Sequence, residues 1–324
     1  MSAQASPTHP QIADTAPSPS PAWIRWTQWH ALTDTLTPLL TDPKQSADFH
    51  GEIGQATRSL MDLTAQSPDM ALFFLFHERA DPLARYSVLH AMHTAILMTL
   101  IGRRKDWGGV RTACGVSASL TMNLSAMGLQ DVLARQIEPL SAEQQAHMQA
   151  HPLESWQLLQ DLGVSDPVWL EAVAQHHEQA DGLGYPKGLR ALHPLADAIR
   201  TCDVFGAKVS SRASRSSMPT PHAAADIFRQ RSAGYIGASI IGEVGLYPPG
   251  SVVALASGEQ AVVVARTSKP EQPQAVVIRD AAGQPVQALT RCITAVASSR
   301  RILGVARDQA WIDLIKPEAL IDCM

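Results

Sequence analysis

Residues 176–189 read His176-His177-Glu178-Gln179-Ala180-Asp181-Gly182-Leu183-Gly184-Tyr185-Pro186-Lys187-Gly188-Leu189. Two adjacent imidazoles and two carboxylates share this stretch with a Gly/Pro-rich turn. Imidazole beside carboxylate is a ligand set for Fe, Mn or Zn, so metal binding is the chemistry these residue types offer. The glycines and the proline end a helix and turn the chain sharply.

The elements that must position this stretch are mostly helical. Residues 1–21 are Pro, Ser, Ala and Thr with almost no large apolar groups. They bury too little surface to offset ordering entropy and read as a disordered tail. Residues 22–80 form a helical lead-in, with Trp23, Ile24, Trp26 and Leu32 on one apolar face. Residues 81–245 read as successive helices. Leu89, Met92, Ile96 and Leu100 fall at helical spacing. Ser141-Ala-Glu-Gln144 is a capping box that opens the helix carrying Met148 and His151. Asp166-Pro167 is an N-cap followed by proline, and its helix is expected to run through His177 and end near Gly182. Pro194 opens a helix that carries Cys202 and Asp203, and a last helix near Ser239–Val244 stops at Gly245. After Tyr247-Pro248-Pro249-Gly250 short β-branched runs alternate with turns. Residues 246–300 therefore read as a small β module of about three to five strands. Residues 301–324 read as a tail whose Trp311–Ile315 segment docks on the rest.

Composition narrows the function. The 324 residues are 45% hydrophobic, enough for a sizeable core. A net charge of −4 gives no electrostatic reason to expect nucleic-acid binding. Apolar runs such as Met70–Phe76 and Ala95–Ile101 fall short of the ~20 residues a membrane span needs. No basic start precedes an apolar core at the N-terminus, so no signal peptide is expected. The cysteines at 114, 202, 292 and 323 form no CxxC pair, and a reducing cytoplasm is the expected location.

The 176–189 stretch resembles the signature of the HD-GYP family, metal-dependent phosphohydrolases of cyclic-di-GMP signalling. The resemblance covers roughly residues 81–245 and the Tyr-Pro-Pro-Gly β segment. It implies a mainly α fold, an HD-superfamily helical bundle of HD-GYP type with a small C-terminal all-β appendage. It also implies metal ligands on separate helices. His90 matches the family's first His, His151 a later one, His176 and His177 the paired imidazoles, and Asp203 the last Asp. Arg212 and Arg215 match downstream basic residues that face phosphate. The Gly182, Gly184, Tyr185 and Pro186 loop matches a segment linked to partner contact. Each has a plainer role to weigh against this one: a lone imidazole on an amphipathic helix is usually packed in the core, and paired arginines often form a solvated face. His93, one turn from His90, is a further possible ligand with packing as its plainer role, and His147 reads as surface.

The family's His-Asp dyad falls on Met122-Asn123. A lysine that follows the dyad falls on Ala126, a tyrosine between the two arginines on Ser214, and an acidic residue of some members on Tyr86. A thioether suits neither hard oxygen chemistry nor Fe or Mn, and a neutral amide does not bridge two cations as a carboxylate does. The expected function is therefore a degenerate, regulatory or binding module with little or no dinuclear phosphodiesterase activity. His151, His176 and His177 would hold one divalent ion (Zn, Fe or Mn), or none. The expected partners are signalling proteins at the Gly-Tyr-Pro loop and cyclic-di-GMP or a related nucleotide. The alternative is an active cyclic-di-GMP phosphodiesterase with a rewired metal site, and a third reading is a purely structural helical domain.

Overall fold

The fold was obtained as a computed structural model that describes residues 20–77, 85–215, 217–229, 234–295, 298–306, 315 and 317–324. The expected disordered tail lies outside the described residues up to residue 19, and so does the 311–314 part of the expected docking segment.

Three helices form the lead-in. Helix α1 spans Pro21–Thr41, and its Ser20 N-cap accepts from the Trp23 N–H. It buries Trp26, Trp29, Leu32, Leu36, Leu39 and Leu40 along one stripe. Helix α2 (Phe49–Gln66) is capped by Asp48, and α3 (Pro68–His77) follows directly. Trp29 stacks on Phe74 of α3, with centroids 5.2 Å apart.

Helix α4 (Tyr86–Arg104) is buried from Tyr86 to Gly102 and is the axis of the bundle. A helix apolar all round must be enclosed by others. Here α1, α2, α5 (Gly109–Thr121), α6 (Met127–Arg135), α9 (Pro194–Val209) and α11 (Gly234–Val244) all pack on it. Between α5 and α6 a short turn of 3-10 helix spans Leu124–Ala126. Helix α7 (Ala142–Asp161) starts with the predicted capping box, formed in both directions. Helix α8 (Pro167–Gln175) starts at the predicted Asp166 cap but ends sooner than expected, with His176 as its C-cap. The paired imidazoles thus stand at a helix end, where the chain is free to turn. Helix α10 (Thr220–Arg229) precedes α11, and α11 ends at Gly245 with φ +83, a left-handed cap that suits glycine.

The C-terminal strands are β1 (Val252–Leu255), β2 (Gln260–Ala265), β3 (Gln274–Arg279), β4 (Pro285–Ile293) and β5 (Ile302–Val305). They form one antiparallel sheet in the order β4-β3-β2-β1-β5. Strand β5 lies in the segment read from sequence as a tail. Four residues centred on Gly304 carry too little pattern to be seen as a strand, and pairing with β1 supplies what the sequence lacks. Val252, Val262, Val264, Val276 and Ile278 join the hydrophobic core of the helices, while Val253, Leu255, Ala261, Val263 and Ala275 form a second cluster. The sheet is therefore built into the helical core along one face. Helix α12 (Pro317–Ile321) buries Leu320 and Ile321, and Asp322 accepts from the Ser20 hydroxyl (2.6 Å). Among the described residues, no helix is long and apolar enough to cross a membrane.

Candidate metal centre

Helices α7 and α8 bring three imidazoles together. The donor atoms of His151, His176 and His177 all lie within 4.8 Å of one another. His151 Nδ1–H donates to the Met148 carbonyl (2.7 Å), and His176 Nδ1–H donates to the Val173 carbonyl (2.6 Å). A carbonyl only accepts, so in each neutral ring the proton sits on Nδ1 and the lone pair on Nε2. The two Nε2 atoms face each other at 3.1 Å. Two acceptors at that distance need a proton or a cation between them. Burial pushes the His151 imidazole down to about 3, with neighbouring His176 adding to the effect. Burial likewise lowers His176, and burial with His176 beside it lowers His177 further. The three rings are thus neutral at pH 7 with lone pairs available, which is the form that ligates a metal. Backbone carbonyls that fix the tautomer and aim the ring are the usual outer support of a metal-binding histidine. The donor set therefore fits one divalent ion.

His90 and Asp203 face each other from α4 and α9, with His90 Nε2 and Asp203 Oδ1 2.6 Å apart. Burial raises the Asp203 carboxyl. The hydrogen bond from His90 and the imidazoles of His90, His177 and His176 outweigh that and hold it below the usual carboxylate range. Asp203 is thus ionised and accepts, while His90 Nε2–H donates. The Tyr86 ring lies parallel to His90, with centroids 5.7 Å apart and planes at 7°. Arg212 donates to the Tyr86 hydroxyl from Nε (2.9 Å) and Nη2 (2.7 Å). Arg215 turns its guanidinium onto the Ala207 carbonyl. The two arginines also pair through their backbones, Arg212 N–H to Arg215 O (2.8 Å) and the reverse (3.0 Å).

Glu178 and Asp181, the carboxylates of the signature stretch, serve the loop. Buried Glu178 accepts from the backbone N–H groups of Lys187 (2.7 Å) and Leu189 (2.8 Å), and Asp181 accepts from Leu183 N–H (2.9 Å). Gly182 and Gly188 take positive φ, and the Tyr185-Pro186 bond is cis. Leu183 stands out at 80% exposed next to Gly184, Tyr185 and Pro186. The loop's internal bonding was the part the sequence hid: a carboxylate next to two imidazoles has the same letter whether it binds a metal or closes a turn.

Met122 ends α5 fully buried, and Asn123 opens the following turn, its side-chain oxygen buried without a hydrogen-bond partner among the described residues. Two residues on, the Ser125 hydroxyl donates to the His151 carbonyl (3.2 Å), tying this turn to α7. Ala126 is buried as well. His93 is buried with neither ring nitrogen partnered among the described residues. His147 lies at the surface beside Glu154 (3.4 Å), as expected. The Tyr86–Arg212 pair was not foreseen, because the two residues are far apart in sequence and only the packing of α4 against the segment after α9 joins them.

Comparisons with known proteins agree with this picture. The sequence pattern of a family described as HD domain matches residues 101–240. The chain is 24% identical over 236 residues to cyclic di-GMP phosphodiesterase PA4108 of Pseudomonas aeruginosa, covering 70% of this chain and 56% of that protein. It is 26% identical over 202 residues to the 3'3'-cGAMP-specific phosphodiesterase 3 of Vibrio cholerae, covering 60% and 44%. It is 26% identical over 106 residues to cyclic di-GMP phosphodiesterase PdeB of Borreliella burgdorferi, covering 33% and 28%. The chain thus spans about half or less of the length of these relatives. Among solved structures, Bd1817, an HDG"Y"P protein from Bdellovibrio bacteriovorus, superposes with a TM-score of 0.57 at 15% identity, covering 71% of this chain and 73% of that one. The HD-domain match and the phosphodiesterase relatives support reading the chain as an HD-GYP family member, and the likeness to Bd1817 shows the shared helical fold.

Proposed function

We propose that the chain is a regulatory or binding module of bacterial cyclic-di-GMP signalling that holds one divalent ion at His151, His176 and His177 and hydrolyses phosphodiesters little or not at all. The observation that carries this reading is the facing Nε2 pair at 3.1 Å beside His177, combined with Met122-Asn123 at the dyad positions. Three imidazoles suffice for one ion, and the neutral amide of Asn123 does not supply the bridging charge a two-ion hydrolase needs. Zn, Fe and Mn all suit this donor set, and such an ion, when bound, offers a positive centre to a phosphate oxygen. The chain's own residues do the rest. The backbone carbonyls of Met148 and Val173 aim two of the rings, Asp203 lends negative charge to the cluster, and Glu178 holds the loop closed beside His177.

In this reading residues 22–80 are the lead-in, 81–245 the signalling domain and 246–300, with β5, the sheet, and the protein works in the cytoplasm. The exposed Leu183 and the Gly-Tyr-Pro turn form the surface for a signalling partner, and cyclic-di-GMP or a related nucleotide is the small ligand. The names of the relatives support that nucleotide class. A second reading, an active phosphodiesterase with a rewired site, draws on buried His93, whose unpartnered nitrogens lie one turn from His90. Elemental analysis of protein expressed with Fe, Mn and Zn, followed by cyclic-di-GMP binding and hydrolysis assays on the same sample, tests the choice. About one ion per chain with nucleotide binding and no turnover is expected. Turnover of cyclic-di-GMP or its linear dinucleotide overturns the proposal.

A further inference from the structure

We infer that the half of the centre built on His90 and Asp203 is closed to a second metal ion by Tyr86 and Arg212, so that restoring the His-Asp dyad alone leaves a one-ion protein. The inference deepens the one-ion reading above and rests on it for the other half of the centre.

The geometry carries it. Two donor atoms on one ion, each about 2.1 Å from the metal, stand about 3 Å or more apart. His90 Nε2 and Asp203 Oδ1 are 2.6 Å apart, the distance of a charge-assisted hydrogen bond, with the imidazole proton between them. The other ring nitrogen, His90 Nδ1, offers no alternative. It is buried on the Gly206 side of the ring, with the Thr94 side chain also near Gly206, and the described residues place no carboxylate or second imidazole against it to complete a site. Above the imidazole lies the Tyr86 ring, parallel and itself buried. Its hydroxyl oxygen is taken up by two N–H groups of Arg212, so it has little to offer a cation. The guanidinium, 4.8 Å from the Tyr86 ring centre, brings a fixed positive charge to this side of the centre, and a cation there opposes a dication. The backbone pairing of Arg212 with Arg215 holds it in place. Position 86, where the resemblance implies an acidic residue in some members, is Tyr86 here, and its hydroxyl engages Arg212. The lost dyad and the closed half-site are separate changes on separate elements.

The test counts ions by elemental analysis in three full-length proteins loaded with Mn²⁺ or Zn²⁺ and then desalted. They are the wild type, Met122→His with Asn123→Asp, and that pair combined with Tyr86→Glu. About one, one and two ions per chain are expected, because only in the last protein does a carboxylate take the place of the Tyr86 ring and offset the charge of Arg212 beside the restored bridge. Two ions in the dyad-restored protein overturn the inference, and so does a folded triple variant that holds no more than the dyad-restored one. A wild type without any ion sinks the one-ion reading, yet the difference between the two variants still decides this inference. Should the triple variant fail to fold, the wild type gives an independent answer through ¹⁵N-histidine NMR. On addition of Zn²⁺ the Nε2 resonances of His151 and His176 are expected to move and that of His90 to stay. Movement of His90 into the metal-bound range overturns the inference.

Discussion

Tyr185 stacks on His177, with ring centroids 4.6 Å apart and planes at 22°, and its backbone N–H donates to the His177 carbonyl (3.2 Å). The loop and the least buried imidazole of the cluster are therefore held to each other at two points. The Tyr185 side chain forms a wall that fixes the His177 ring, a role outside the donor atoms but directly behind one of them. Tyr185→Ala is expected to lower Zn²⁺ affinity by roughly tenfold to a hundredfold, the usual range for an outer-shell support. Tyr185→Phe keeps the stack and is expected to stay near wild type. A competition titration against a chromogenic chelator measures both, and an unchanged affinity in Tyr185→Ala would separate loop from centre.

Gly184 is the tightest point of the same loop. A Cβ there would lie 2.3 Å from the Gln179 nitrogen and 2.5 Å from Glu178 backbone atoms, and backbone does not yield as a side-chain tip does. Gly184→Ala is expected to open the loop and to release the two backbone N–H groups that Glu178 accepts, at a loss of about 1–3 kcal/mol. Limited proteolysis is expected to cut the variant between residues 180 and 190 well before the wild type, and urea unfolding gives the energy.

Much of this arrangement was legible in the sequence, for reasons that differ by residue. Ser141/Gln144 and Asp166-Pro167 marked two helix starts correctly because capping is local chemistry. The end of α8 at Gln175 was not legible, since His176 has no strong terminating character and its ring is tied by contacts from α7. The donor atoms of His151, His176 and His177 lie close together because α7 and the end of α8 pack side by side. Arg212 instead engages Tyr86, a pairing of distant segments that no local pattern encodes. The sheet was foreseen from β-branched runs and turns, but its share in the main core was not. Alternation shows that a strand has two faces without telling what covers each.

His93 is expected to contribute to acid sensitivity. Burial, with His90 adding, pushes its imidazole down from 6.5 to about 3. Above pH 6.5 the folded and unfolded chains both hold it neutral, and nothing is lost. As pH falls from 6.5 towards 3 the unfolded chain takes up the proton first. Stability then declines by up to about 1.4 kcal/mol per pH unit from this one group. In metal-free protein, His93→Leu is expected to flatten the fall of the urea midpoint between pH 6 and pH 4 while leaving pH 7.5 stability equal or higher, because two unpartnered buried nitrogens are removed. An acid limb as steep as the wild type's would assign the sensitivity to other histidines.

Arg266, at the end of β2, tests whether the sheet unfolds with the helices. Its Nε meets Asp69 Oδ1 of α3 at 2.5 Å, its backbone N–H donates to Asp69 Oδ2 (3.3 Å), and its guanidinium reaches the Glu243 carbonyl of α11. Glu243 in turn accepts from Arg104 at the end of α4 (3.1 Å). One arginine thus links the sheet to three helices, and beneath it Val262, Val264 and Val276 share their core. The polar links add to that apolar contact without being its sole cause. Arg266→Ala is therefore expected to cost about 1–3 kcal/mol, in the range for charge-assisted bonds whose acceptors lose their partner. Unfolding is expected to stay a single transition, with tryptophan fluorescence, which reports only the helices and the C-terminal segment because the sheet holds no tryptophan, coinciding with far-UV circular dichroism. A split into two transitions in the wild type would mean that the shared apolar face is too weak to couple them. A split that appears only in Arg266→Ala would make Arg266 the coupling itself.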